Sequence, residues 1–321
     1  MIKIVSTLFL ALACVCAVSP AQTDKPQSLT PRRAVALTFD DLPYTNLGGS
    51  YLPNARRATS ELLRMLKEHR APAAGFVNEG KLHAPGELGQ RTAILRQWVD
   101  AGMTLGNHTY SHADFNRLTV EQFQEEIVKG DFITRKLMKT RKPYQLYFRH
   151  PMTRTGNTKE KKEAIEKFLA ARGYKVTPHT IENSDFIFNT GYARAKLKND
   201  EALMKKLRGS YLDLTFAATD VAEKISPQIF GREIPQLLLL HANEINADCL
   251  DEMLRRYEAR GYRFITLDEA MADPAYQTKD ILVSERGPTW LWRWMKSLEM
   301  NISFKDDPDP PQWVMDLYNQ R

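Results

Sequence analysis

A chain of 321 residues with 43% apolar and 26% charged side chains carries enough apolar material for one large core or two ordinary ones, which excludes a largely disordered protein. The formal charge of +6 is a mild excess spread along the chain. No basic run is interleaved with aromatics, so a nucleic-acid module is excluded, while tolerance of acidic polymers or anionic surfaces is not.

Lys3 precedes an apolar stretch over residues 4–18, and the small residues around Ser19-Pro-Ala21 offer a cleavage point. Residues 1–21 therefore read as a signal peptide and 22–33 as a linker, and export to the periplasm or the extracellular space follows. Ala11-Leu-Ala-Cys14 offers a second reading, a lipoprotein signal that anchors the mature chain through an acylated Cys14; the apolar segment before it is short, so simple cleavage is preferred. Cleavage near Ala21 removes Cys14 and Cys16 and leaves Cys249 alone, without an internal disulfide. Cys249 lies in an apolar helical stripe and is expected to be buried. No transmembrane span is expected beyond the signal.

From residue 34 to 267, short apolar runs alternate with amphipathic segments, seven of each, the last strand lacking a full helical pattern behind it. The spacing predicts strands at 34–39, 73–78, 103–107, 145–149, 175–180, 236–241 and 262–267. Asn54 is placed to cap a helix with Leu62, Met65 and Leu66 on its inner face. Thr119-Val-Glu-Gln122 is a capping-box sequence opening a helix through Phe123 and Ile127. Gly173 and Gly261 stand where left-handed C-terminal caps are expected. This repetition specifies a parallel sheet, either a barrel or open and doubly wound. Asp40, His108, Arg149 and His241 each fall at or just past the end of a separate predicted strand, as residues at a shared barrel mouth do.

These polar residues suggest chemistry, each beside a plainer reading. His108 and His112, four apart, can converge on one ion with Asp41 completing three ligands and leaving room for water, or lie on a helix surface. Asp40 and Asp41 can divide proton and metal work, or cap a helix after a strand. Two histidines and a carboxylate also form the facial triad of iron(II) oxygenases, but those enzymes favour antiparallel double-sheet folds. His241 is a core histidine or a catalytic one. Asp185 belongs to turn chemistry unless it contacts His241, where its charge would hold the imidazole protonated as a general acid requires. Arg149 pairs with a surface acid or locks the rotamer of Asp40.

Taken in order, Thr38-Phe-Asp-Asp41, His108-Thr-Tyr-Ser-His112, Arg149-His-Pro151, Glu182-Asn-Ser-Asp185-Phe186 and Leu238-Leu-Leu-His241 resemble the five motifs of the polysaccharide deacetylases with the nodulation-factor deacetylase homology domain. The resemblance spans residues 34–267. It implies an α/β fold, a distorted (β/α) barrel of about seven parallel strands, and a zinc-type ion on Asp41, His108 and His112. It further implies Asp40 as base, Arg149 as its partner, His241 as acid, Asp185 as the residue tuning His241, and a backbone N–H near Met152 at the oxyanion. Met152 stands where the family often has an aromatic residue, Phe186 where it has tryptophan and Glu182 where it has aspartate, so the groove walls depart more than the reacting centre. Tyr44, Tyr51, Phe188 and Tyr192 are placed on predicted rim loops where rings can stack on sugars.

The resulting expectation is a catalytic domain over residues 34–273 and an irregular Trp-rich extension over 274–321 packed on it. Its tryptophans, Trp290, Trp292, Trp294 and Trp313, either dock the tail or form a carbohydrate or membrane platform. The expected function is an exported metal-dependent hydrolase removing N-acetyl groups from an N-acetylated glycan. The alternatives are an acetyl esterase or a non-sugar amidase with the same site, or a non-catalytic glycan-binding module.

Overall fold

The computed structural model describes residues 33–141 and 144–320; the expected signal peptide, the alternative anchor at Cys14, Cys16 and all but the last residue of the expected linker lie outside the described residues. The chain opens with β1 (Ala34–Leu42), α1 (Tyr51–Glu68), β2 (Ala73–Val77), α2 (Leu88–Asp100), β3 (Thr104–Asn107), α3 (Val120–Lys129), α4 (Phe132–Met138), β4 (Leu146–Phe148), α5 (Lys159–Ala171) and β5 (Tyr174–Val176). It continues through β6 (Ile181–Glu182), α6 (Asp185–Leu197), α7 (Glu201–Phe230), β7 (Gln236–His241), α8 (Glu244–Ala259), β8 (Arg263–Phe264) and α9 (Leu267–Met271). All strand pairs are parallel, in the order β5-β4-β3-β2-β1-β7-β6, with the short β8 on the start of β1. The fold is the expected α/β type, a curled half-barrel of seven parallel strands. Every residue of β1 except Asp41 is buried, because strands under crossover helices are covered on both faces.

Local signals account for several boundaries. Thr119 and Gln122 make the expected capping box, and Leu62, Met65 and Leu66 are buried on α1. Gly173 and Gly261 take φ of 77° and 78° just past α5 and α8. Helix α1 starts upstream of the expected cap: Ser50 is the N-cap and Asn54 instead donates to Gly48 O. Pro53 permits this, since it falls in the first turn, where its missing N–H would have no helical partner.

The expected strand at 175–180 is broken. Thr177 N–H still bonds Phe148 O on β4, but Thr180 N–H bonds Leu237 O on β7, so the chain crosses from one edge of the sheet to the other around Pro178. Proline has no N–H to continue a ladder, which makes this the seam where the barrel stays open.

The tail, expected to be irregular, carries two helices, α10 (Trp290–Ser297) and α11 (Gln312–Asn319). Trp290, Leu291, Trp294 and Met295 recur at helical spacing and form the buried face of α10. Trp294 Nε1–H donates to Thr278 O, and its ring meets Phe230 and Tyr276 edge-on at 5.4 Å. Cys249 is buried, and no helix among the described residues is long and apolar enough to cross a membrane.

Candidate active site

The register of the sheet assembles the rim. Asp40 on β1 pairs with His241 on β7, Val77 on β2 with Asn107 on β3, and Asn107 with Phe148 on β4, so the strand ends preceding His108 and Arg149 lie beside the ends bearing Asp40 and His241. The β1–β2 register slips between Phe39 and Leu42, and Asp41 within that bulge has φ 68°. A bulge re-aims the side chain it carries, so the two adjacent carboxylates both reach one cavity. Other non-glycine residues around the site, Thr109, His112, Met152, Thr153 and Ser184, are also left-handed, and such strain collects at functional sites.

Asp41, His108 and His112 form the one group of potential metal donors found among the described residues, each offering an atom within 4.8 Å of the others. His108 Nδ1–H donates to Arg149 O at 2.8 Å, which leaves the Nε2 lone pair directed at Asp40 Oδ2, 3.5 Å away, and Asp41 Oδ1, 4.0 Å away. His112 Nε2 is 3.6 Å from Asp41 Oδ1. That oxygen is buried and accepts no hydrogen bond, an orphan of the kind a cation satisfies, and one carboxylate with two imidazoles suits zinc. Burial alone would raise the Asp41 pKa, but Lys81 and then His112, His241 and His108 outweigh it and hold the carboxyl well below the usual range. Burial pushes the His108 imidazole down to about 4, against the pull of Asp40, and lowers His112, so both are neutral as ligands must be.

Arg149 is completely buried. Its Nη1 donates to Asp40 Oδ1 at 2.9 Å and to Thr38 Oγ1 at 2.7 Å, while Nη2 and Nε donate to Pro178 O and Thr177 O. The guanidinium thus fills the open seam between β5 and β6 and fixes the Asp40 rotamer. His241 Nδ1–H donates to Asp185 Oδ1 at 2.6 Å, and His241 N–H to Asp185 Oδ2 at 2.7 Å. Asn243 and Asn246 also donate to Asp185 Oδ2, so four donors order this carboxylate at the start of α6. Burial opposes a charge on His241, but Asp185, with smaller help from Asp41 and Asp40, raises its pKa to about 10.

A cavity of about 300 Å³ is lined by Asp40, Asp41, His108, His112 and His241, with Glu182, Phe186, Met152 and Thr153 on its walls. Arg149 and Asp185 stand behind it. Sequence reasoning passed over three participants. Thr38 was legible inside its motif, whereas Lys81, whose Nζ lies 3.5 Å from Asp41 Oδ1, and Gly287 on the cavity wall carry no local signal. The rim aromatics are corrected: Tyr44, Phe188 and Tyr192 are buried in the core and cannot stack on a sugar. Tyr44 O–H donates to Glu244 and Tyr192 O–H to Asp248, which explains how their polar ends tolerate burial.

Residues 27–169 match the family model described as polysaccharide deacetylase. A chitin deacetylase of Arthroderma benhamiae is 27% identical over 157 residues, 49% of this chain and 36% of that protein's length, so this match spans about a third of that relative. A peptidoglycan-N-acetylmuramic acid deacetylase of Bacillus subtilis is 24% identical over 244 residues, 75% of this chain and 73% of its own. Among solved structures, a mutant of a CE4 family pseudoenzyme with restored enzymatic activity shares the fold at a TM-score of 0.50 and 16% identity, covering 75% of this chain and 68% of that one. The chain is thus similar to the polysaccharide deacetylases over residues 27–169, a little under half of its length.

Proposed function

We propose that this protein is an exported, metal-dependent hydrolase that removes N-acetyl groups from amino sugars of a polysaccharide or cell-wall glycan. One observation carries the reading: a single cavity holds the Asp41, His108 and His112 donors, the carboxylate of Asp40 and the charged imidazole of His241. The apolar stretch at residues 4–18 supports export.

Asp41, His108 and His112 would hold a zinc-type ion, which when bound would supply Lewis acidity to the carbonyl and to the attacking water. Asp40 accepts a proton from that water as it adds to the acetamide carbon. Arg149 orients Asp40 for this, holding Oδ1 so that the carboxylate keeps one rotamer. As the carbon–nitrogen bond breaks, His241 gives a proton to the nitrogen, which would otherwise leave as a strongly basic amide anion. Asp185 occupies Nδ1–H, so the donated proton is the one on Nε2. The products are acetate and a free amino sugar.

The test is acetate release from N-acetylglucosamine oligomers and from peptidoglycan by metal-stripped protein, with and without zinc. Zinc-dependent release is expected, with Asp40→Asn lowering kcat by about 10² to 10⁴ and His108→Ala abolishing the response to zinc. Release from acetyl esters alone would replace the amide substrate with an ester, and no release from any substrate would reject a hydrolase.

A further inference from the structure

One wall of the catalytic cavity comes from the tail. Gly287 lines it beside Met152 and Thr153. Its backbone lies so close to that turn that an added Cβ would sit 2.0 Å from both Met152 O and Thr153 Oγ1, so glycine alone fits. Thr153 Oγ1–H donates to Gly287 O at 2.6 Å. Arg293 on α10 reaches the same turn: Nη2 donates to Thr153 O at 2.8 Å, Nη1 to Thr155 Oγ1 and Asp280 Oδ2, and Nε to Pro288 O. Arg293 is 1% exposed, and its guanidinium lies 4.6 Å from the centroid of the Trp290 ring. Trp290 N–H in turn donates to His179 O at 2.9 Å, which ties the start of α10 to the half-barrel near the β5–β6 seam.

The turn so held is under strain. Met152 and Thr153 are consecutive left-handed non-glycine residues, φ 53° and 51°. Such a residue is strained and persists only where its surroundings over-determine it. Here the surroundings include a buried fork that spends one arm on the Thr153 carbonyl and another on Asp280, so turn and tail are set by one rigid group.

We propose that Arg293 is a positioning residue for the reaction: acting through the Met152–Thr153 turn, it holds the cavity wall against which the substrate binds, and with Gly287 it makes the C-terminal tail part of the active site. This rests on the deacetylase reading and adds to it a segment beyond the five motifs.

Arg293→Lys separates positioning from packing, because lysine keeps a cation for Asp280 but cannot reach Thr153 O and Pro288 O at once. In the full-length zinc-loaded protein acting on N-acetylglucosamine oligomers, R293K is expected to lower kcat by about tenfold to a hundredfold, the scale of a misplacement of about 1 Å. KM should stay within about threefold, the melting temperature should fall by no more than about 4 °C, and hydrogen exchange should quicken at the amides of residues 152–155. Gly287→Ala, which pushes the turn from the other side, should give the same pair of changes. Unchanged kcat in both variants, or unchanged exchange at residues 152–155, overturns the proposal, as does a loss of kcat explained by unfolding at the assay temperature. Wild-type protein active on acetyl esters alone would sink the amide reading, and the same comparison would then be made on the ester. Wild-type protein inert on both overturns both readings, an outcome distinct from the others because it needs no variant.

Discussion

His241 is the residue whose environment makes the sharpest demand. Asp185 bonds both its ring and its backbone N–H, and the imidazole is raised to about 10, above its ordinary 6.5. Because the folded-state value is the higher one, the pair stabilises the folded protein fully below about pH 6.5, and that contribution fades as pH rises towards about 10. Activity should share the alkaline limb, since an imidazole without its second proton cannot protonate the leaving nitrogen. Asp185→Asn removes the dominant attraction and leaves the smaller ones of Asp41 and Asp40, so the limb of the pH–rate profile should move towards neutrality; an unmoved limb would assign it to another group. Arg149 makes a demand of a different kind. Arg149→Ala leaves the buried Asp40 carboxylate uncompensated and is expected to cost about 3–5 kcal/mol in urea unfolding. The candidate residues were legible as types at strand ends, and both pairings only through the resemblance of the five motifs: taken alone, a histidine after Leu237-Leu-Leu-Leu240 looks the same whether or not Asp185 lies beneath it.

Elements governed by neighbouring residues were the readable ones. The capping box of α3 needs two side chains three positions apart, and its sequence signature corresponds directly to the bonds formed. Thr119→Ala should therefore destabilise the protein by about 1 kcal/mol, seen as a lower urea midpoint with an unchanged slope. Helix α3 also backs the loop from His108 to His112, since Glu126 O accepts from Tyr110 N–H and its carboxylate from Ser111. The expected strand at 175–180 runs past the end of β5 and stops one residue short of β6. What divides them is the change of partner from β4 to β7 across Pro178, and a two-residue strand has too few side chains to show a period.

At the scale of the whole molecule the tail is the part least visible beforehand. Trp294 is buried against Phe230 and Tyr276, so Trp294→Ala is expected to cost about 3–5 kcal/mol; a loss under about 0.5 kcal/mol, the level of a surface change, would show the ring to be exposed in solution. The export reading predicts a mature N-terminus close to residue 22, which mass spectrometry of secreted protein would reveal. By itself the sequence determined the alternation of strands and helices, the parallel sheet and the set of residues at its rim, because hydrophobic period and turn chemistry are local and a parallel βα order brings the C-terminal ends of its strands together. Only the tertiary structure decided that Arg149 holds Asp40 across 109 positions, that Asp185 holds His241 across 56, and that Arg293 reaches back 140 to Thr153. Such contacts depend on strand order and on which surfaces pack, and no window of neighbouring residues contains either.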